Sequence, residues 1–378
     1  MIAKNLTFSL AGLLLSITAL CQRQSLMMAP NLHLLADTGE SRLLIRSLEG
    51  FLAGSSKPHQ ENGYILHDHL LATVAMMNEL KGLDTTGAYL ENVVSLDSGR
   101  LLVQFSYMDV KSGIPSLQGD FKLLARKTGD HYSFYSPLEE STRTWKTKQM
   151  GRFIFHYRYT LNKELSKNYV RKAAEFDRKL KAPGYLTRVY FCDNAHEAME
   201  LLGVTYKAAY NGQSHQNFFA FENNESLMVF GTDSSDPEAL DIHDCWHNRL
   251  FYAPKQGTVN RFIDEGCAYL YGGSWGMSWP YILNRFKTAM AGKKDWLAVY
   301  TENRQFGDSA EKHLYADYVI NALLVQKIEK EKGFPAAMQF LCSGKKQKDD
   351  KFYFETLDKI DGINRSNFSA VIEELLNN

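Results

Sequence analysis

The 378-residue chain is 44% hydrophobic, enough for a packed core, so disorder is not the expectation. Its 43 Lys and Arg equal its 43 Asp and Glu, which leaves no excess of positive charge to argue for nucleic-acid binding. The length suits two domains of ordinary size, and 22 Phe and 20 Tyr suggest aromatic-rich strands and cores.

In chain order, the first element is an export signal over residues 1–21. Lys4 supplies a positive start, and Leu6 to Leu20 is an apolar run of about 15 residues, short for a membrane span. Cleavage before Gln22 would put the small residues Ala19 and Cys21 at the −3 and −1 places. A lipoprotein anchored at Cys21 is the rival reading, disfavoured by the bulky Leu20 just before it. No later apolar stretch reaches about 18 residues, so no integral membrane span is expected after signal removal. The expected location is the periplasm, the cell surface or the medium.

Residues 25–140 read as an amino-terminal α+β domain. Ser41 to Leu52 and His67 to Leu80 carry helical apolar spacing. The period then changes to two: Leu101, Val103, Phe105 and Tyr107 alternate, followed by Phe121, Leu123 and Ala125, then Tyr132 and Phe134. Turn residues separate these runs, including Ser112-Gly113 and Thr128-Gly129-Asp130. Helices followed by an antiparallel sheet resemble the NTF2-like cone fold, although no motif marks it. The polar stretch Glu139 to Gln149 reads as a connection, with 141–150 taken as the linker.

Residues 151–378 form the second expected domain. Phe153, Phe155, Tyr157 and Tyr159 alternate in a strand, a helix spans Lys163 to Leu180, and Arg188 to Cys192 is another strand. A short helix follows near Ala195 to Leu202. Gln216–Phe221 and Ser226–Phe230 pair across Glu222-Asn-Asn-Glu225. Helices then run to the end: Pro237–Phe251, Val259–Tyr271, Tyr281–Met290, Ala316–Lys332, Pro335–Leu341 and Phe368–Leu376. A small sheet followed by a helical half makes the whole α+β. Of the four cysteines beyond the signal, Cys245 and Cys267 lie about 200° around their helices from His243 and Glu265. Buried free thiols are favoured over metal ligation.

The most informative segment is Asp241-Ile-His243-Asp244-Cys-Trp-His247, followed by Asp264-Glu265-Gly266-Cys-Ala268-Tyr269. His243 and His247 are four apart, so on a helix they share one face. Asp236 is a candidate cap for the first helix with Pro237 in its first turn, and Thr258 for the second, which ends at Gly272-Gly273. Glu265 sits mid-helix beside Phe262 and Ile263, where a carboxylate wants a partner. Two imidazoles and a carboxylate are the ligand set of a catalytic zinc site that leaves one position open.

The pattern resembles the gluzincin metallopeptidases, the thermolysin-like clan. Their active-site helix carries His-Glu-x-x-His, and a following helix carries Glu-Gly-x-Ala-x-Tyr. His243, His247 and Glu265 match as zinc ligands, with Gly266, Ala268 and Tyr269 completing the second motif. The likeness covers the second domain alone, and Asp244 stands where the family has Glu. It implies an exported zinc peptidase acting on a peptide or protein, with Asp244 as general base. Asp is about 1.5 Å shorter than Glu, and a misplacement near 1 Å costs on the order of 100-fold in rate. The alternative is a catalytically weak or inactive member that binds a peptide or another ligand. The likeness also implies an oxyanion-stabilising Tyr or His from a later helix. Tyr318 is the candidate, beside His313 and Tyr315. Tyr269 is expected to hydrogen-bond a ligand, or Asp264 to orient a histidine N–H. The strand Asn217–Phe221 can present an edge to an extended peptide. His67 and His69 would diverge by about 200° on a helix, and His156, His196 and His215 have no acidic partner at ligand spacing.

Overall fold

The computed structural model describes residues 26–377 except 57, 84–86, 237–238, 308–312 and 348. The expected signal peptide over residues 1–21, with the expected cleavage or lipidation at Cys21, lies outside the described residues, as does Pro237. The chain is α+β and divides into two compact units, residues up to 143 with 199–214, and residues 144–198 with 215–378.

In the first unit, helix α1 (Thr38–Ala53) starts at Asp37, whose carboxylate accepts the amides of Gly39 and Glu40 at 2.6 and 3.0 Å. Its Leu44, Leu48 and Phe51 are fully buried along one stripe. Helix α2 (Leu70–Leu80) is preceded by a 3₁₀ turn over His67–His69, so the expected helix starts three residues late. The sheet runs β1 (Met27–Met28), β2 (Ala88–Ser95), β3 (Arg100–Lys111), β4 (Ile114–Thr128) and β5 (His131–Tyr135) in that order. The β3–β4 hairpin closes through Ser112 and Gly113, both at positive φ (54° and 78°), as a tight hairpin turn requires. The alternating residues Val103, Phe105, Phe121, Leu123 and Ala125 are all at 0% exposure, which makes this face the unit's core.

Three strands of this unit, β1, β2 and β9 (Val204–Lys207), have no counterpart among the predicted elements. In β2 the register shifts between Leu90 and Asn92, and this bulge breaks the period-two pattern that hydropathy would reveal. Strand β9 (Val204–Lys207) follows the short helix α5 (Ala195–Leu202) and pairs antiparallel with β4. Lys207 Nζ also meets Glu79 at 2.7 Å. The first unit therefore takes in residues beyond the 25–140 stretch.

The second unit holds a sheet in the order β10-β11-β8-β7-β6. These strands are β6 (Lys146–Met150), β7 (Phe153–Tyr157), β8 (Leu186–Phe191), β10 (Asn217–Glu222) and β11 (Glu225–Phe230). Strand β6 falls within the stretch taken as a linker. Its residues are mostly exposed, Lys-containing and at the sheet edge, where polar strands are common, so composition alone disguised it. A short helix, α3 (Leu138–Ser141), precedes it in the first unit. Helix α4 (Lys163–Leu180) connects β7 to the parallel β8 and has the predicted bounds. It buries Tyr169, Ala173, Phe176 and Leu180, and each large apolar side chain so buried contributes about 1.5–3 kcal/mol. The β10–β11 turn uses Asn223 and Asn224 at φ 51° and 61°, a left-handed pair that Asn tolerates.

The helical half comprises α6 (Ile242–Tyr252), α7 (Arg261–Gly272), α8 (Trp279–Ala289), α9 (Trp296–Thr301), α10 (Ala316–Lys332), α11 (Phe334–Leu341), α12 (Lys351–Asp361) and α13 (Phe368–Asn377). Helix α10 has its predicted bounds, whereas α9 and α12 were not foreseen. Helix α9 has only six residues, and α12 opens after Asp350 in the left-handed region. No described helix is long and apolar enough to cross a membrane.

Candidate metal centre

Helix α6 begins five residues later than expected. Asp241, not Asp236, is its cap, because its carboxylate accepts the His243 amide at 2.9 Å while its own backbone is extended. Helix α7 is likewise capped by Asn260 rather than Thr258, through the Phe262 amide at 3.1 Å. Its end is at Gly273, with φ 81°.

These helices bring His243, His247 and Glu265 together. The two Nε2 atoms are 3.2 Å apart, and Glu265 Oε2 lies 3.2 Å from His243 Nε2 and 3.6 Å from His247 Nε2. Among the described residues this is the one group of three ligating side chains so placed, its donor atoms all within 4.8 Å. The remaining ring nitrogens explain the arrangement. His243 Nδ1 donates to the Gly273 carbonyl at 2.9 Å, and His247 Nδ1 donates to Asp264 Oδ1 at 2.9 Å. With each Nδ1 donating its hydrogen, each Nε2 of a neutral ring is left as a bare acceptor. Three such acceptors at this distance repel unless a cation or a proton sits among them. Ligands about 2.0–2.1 Å from a tetrahedral zinc stand roughly 3.3 Å apart, close to the three edges of 3.2, 3.2 and 3.6 Å. The donor set therefore fits zinc.

The charges follow the same logic. Burial lowers His247, but its hydrogen bonds with Asp264 and Glu265 outweigh it and push the imidazole up to about 9. Burial raises Glu265, yet the hydrogen bonds from His243 and His247 hold it well below the ordinary carboxylate range. Its other oxygen, Oε1, meets Arg261 at 2.6 Å. Arg261 stands one turn before Glu265, a spacing that is legible in the sequence.

Of Asp264 and Tyr269, Asp264 is the one that orients a ligand. Besides His247 it accepts the Trp246 indole N–H at 3.0 Å and meets Arg261 at 3.2 Å. Tyr269 does not bond a ligand. Its hydroxyl accepts the Tyr315 amide at 3.4 Å, and its ring stands 5.8 Å from that of His243. Asp264→Asn retains the shape but loses a carboxylate that three donors address. We expect zinc affinity to fall about 10- to 100-fold, as for other groups that orient metal-bound histidines. Competition against a fluorescent chelator measures this, and unchanged affinity would refute the orienting role.

Two glycines make the close approach possible. A Cβ on Gly266 would stand 2.8–2.9 Å from Ala322 N, Asn321 Cβ and Tyr318 O, so α7 and α10 touch backbone to backbone. A Cβ on Gly272 would stand 2.8 Å from His243 N. In the sequence, Gly272-Gly273 signals only a helix stop. The carbonyl role of Gly273 has no side-chain signature.

His243, Asp244, Glu265 and Tyr318 border one cleft of about 430 Å³. Asp244 is exposed in the first turn of α6, and Tyr318 is half-buried, its ring 5.6 Å from that of Tyr269. Burial, with Glu265 and Asp317 adding to it, pushes the Tyr318 hydroxyl up to about 12, so it is protonated at neutral pH. Asn217, at the start of the edge strand β10, also lines the cleft, as do His215, His313 and Tyr315. The other histidines are elsewhere. His69 contacts Glu139 and stacks on Tyr135 at 4.4 Å, and His156 stacks on Tyr190 at 4.2 Å. Cys245 and Cys267 are buried free thiols, as expected.

No protein-family model matches the chain, and none of the curated proteins compared with it does either.

Proposed function

We propose that the chain is an exported zinc-dependent peptidase of gluzincin type, with His243, His247 and Glu265 as ligands. The observation that carries this reading is the orientation of the rings. Both Nδ1 atoms are committed to acceptors, and both Nε2 atoms face one buried carboxylate oxygen. Zinc, when bound there, would acidify water and polarise a substrate carbonyl.

The chain's own residues have the following parts. Gly273 O and Asp264 hold the imidazoles in one tautomer and one orientation. Arg261 holds the Glu265 carboxylate from its far oxygen. Asp244, on the cleft wall, accepts a proton from water as general base. Tyr318, protonated at neutral pH, donates a hydrogen bond to the oxygen that gains charge. Strand β10, at the edge of its sheet among the described residues, would offer backbone groups to an extended peptide.

A second reading, a peptide-binding module with little or no hydrolysis, is favoured by one observation. Asp244 is short and exposed where the family pattern has a longer carboxylate. One experiment tests both. The full mature chain is purified, its zinc is measured, and hydrolysis of casein and mixed peptides is followed with and without a chelator. About one zinc per chain with chelator-sensitive cleavage is expected. Zinc without cleavage supports the binding module, and absence of zinc refutes both metal readings.

A further inference from the structure

We propose that helix α4 and the edge strand β6 form a basic surface that docks the protein on an anionic phospholipid membrane. The inference is independent of the metal reading.

Charge is unevenly distributed along the chain. Residues 144–181 hold 11 Lys and Arg against 3 Asp and Glu, whereas the whole chain holds 43 of each. The fold gathers much of this excess on one side. On α4, Tyr169, Ala173, Phe176 and Leu180 face the core. Lys163, Lys167, Arg171 and Arg178 fall within about 80° of arc on the side away from it, along about 22 Å of helix, and all four are exposed. Glu164 and Glu175 lie beyond one margin of that arc and Asp177 beyond the other.

Strand β6 widens the surface. Its Lys146 and Lys148 pair across strands with Tyr157 and Phe155. Cross-strand partners share a face of the sheet, and Phe155 belongs to the core beneath α4, where Phe153 meets Tyr169 at 5.7 Å. The two lysines therefore stand on the α4 side of the sheet, at its edge, and both are exposed. Much of the charge is uncommitted. Arg171 is bound by Glu175, and Lys167 stands 3.9 Å from Glu164. Among the described residues Lys148, Lys163 and Arg178 have no acidic partner within ion-pair distance.

The shape and the chemistry favour a membrane. A row on the outer side of a helix is convex, so it meets a plane of headgroups along its length. Tyr159, 64% exposed, stands between β7 and α4. Tyrosine is enriched at headgroup level, where its ring faces lipid and its hydroxyl faces water. Each Lys or Arg near an anionic leaflet strengthens binding about fivefold.

The test uses the full chain and two kinds of vesicle, pure phosphatidylcholine and the same lipid with about 30% phosphatidylglycerol. Sedimentation at low salt should show partitioning on the order of 100-fold stronger for the anionic vesicles, and about 0.5 M salt should abolish it. The triple variant Lys163→Gln, Lys167→Gln, Arg178→Gln should bind about 100-fold more weakly, and Lys146→Gln with Lys148→Gln about 25-fold. Gln is nearly as good a helix former as Lys, so the melting temperature of the triple variant should not move. Lys163→Arg with Lys167→Arg should retain binding. Equal partitioning into both vesicles, or partitioning that both neutralised variants keep, overturns the proposal. Tighter binding to heparin or duplex DNA than to anionic vesicles at the same salt also overturns it, by assigning the surface to a linear polyanion. Binding to none of these leaves a solvated helix face and overturns it as well.

Discussion

Glu265→Gln should take zinc from about one per chain to a trace and reduce hydrolysis to background. The side chain keeps its volume, but the site loses its one anionic ligand. In the native chain Glu265 balances two buried imidazoles and is itself only 8% exposed. Removing one partner from a buried charged arrangement costs about 3–5 kcal/mol, which corresponds to a loss on the order of 100- to 4,000-fold in affinity. The amide also presents either an N–H₂ or a weaker acceptor to the two Nε2 atoms, and Arg261 loses the carboxylate that it meets at 2.6 Å. Metal analysis after dialysis and calorimetric titration measure the effect, with circular dichroism to verify that the helices persist. Tight stoichiometric zinc in this variant would remove Glu265 from the ligand set.

Asp244→Glu should raise turnover by as much as about 100-fold if carboxylate reach limits the reaction. Position 244 lies in the first turn of α6, where the helix dipole favours either acid, and it is exposed. The substitution should therefore change stability by less than about 0.5 kcal/mol. Zinc affinity should not move, because none of the three ligands is altered. Asp244→Asn should abolish whatever hydrolysis the native chain has. Turnover measured on one peptide with all three chains separates the readings. A gain for Glu and a loss for Asn identify the base. Indifference to both, with zinc bound, favours the binding module.

Much of the fold was legible because helices and regular strands announce themselves locally. Helices α4, α5 and α10 have the bounds that apolar spacing predicts. The elements that escaped have particular reasons. A bulge at Leu90–Asn92 interrupts the alternation in β2. Strand β6 is polar because it is an edge, and β9 has only four residues that become a strand through pairing with β4 far earlier in the chain. Helix starts were misplaced where several capping residues compete. Asp236, Asp241, Thr258 and Asn260 are all competent caps, and only the folded backbone shows that Asp241 and Asn260 receive the amides.

The sequence by itself determined that His243 and His247 share a helical face, because 3.6 residues per turn leaves no other outcome at that spacing. It also marked Glu265 as a helical carboxylate needing a partner, and Asp244 as the short residue in the pattern. Only the tertiary structure decided which ring nitrogens face the carboxylate. That choice depends on the Gly273 carbonyl, 30 residues from His243, and on Asp264, 17 residues from His247. Neither contact has a local signature: Asp264 reaches His247 from the first turn of α7, and Gly273 reaches His243 from its end, where a missing Cβ at Gly272 lets the backbones meet. Helical periodicity is set by neighbouring peptide units, whereas the direction of a lone pair is set by whatever the packing brings to the other side of the ring.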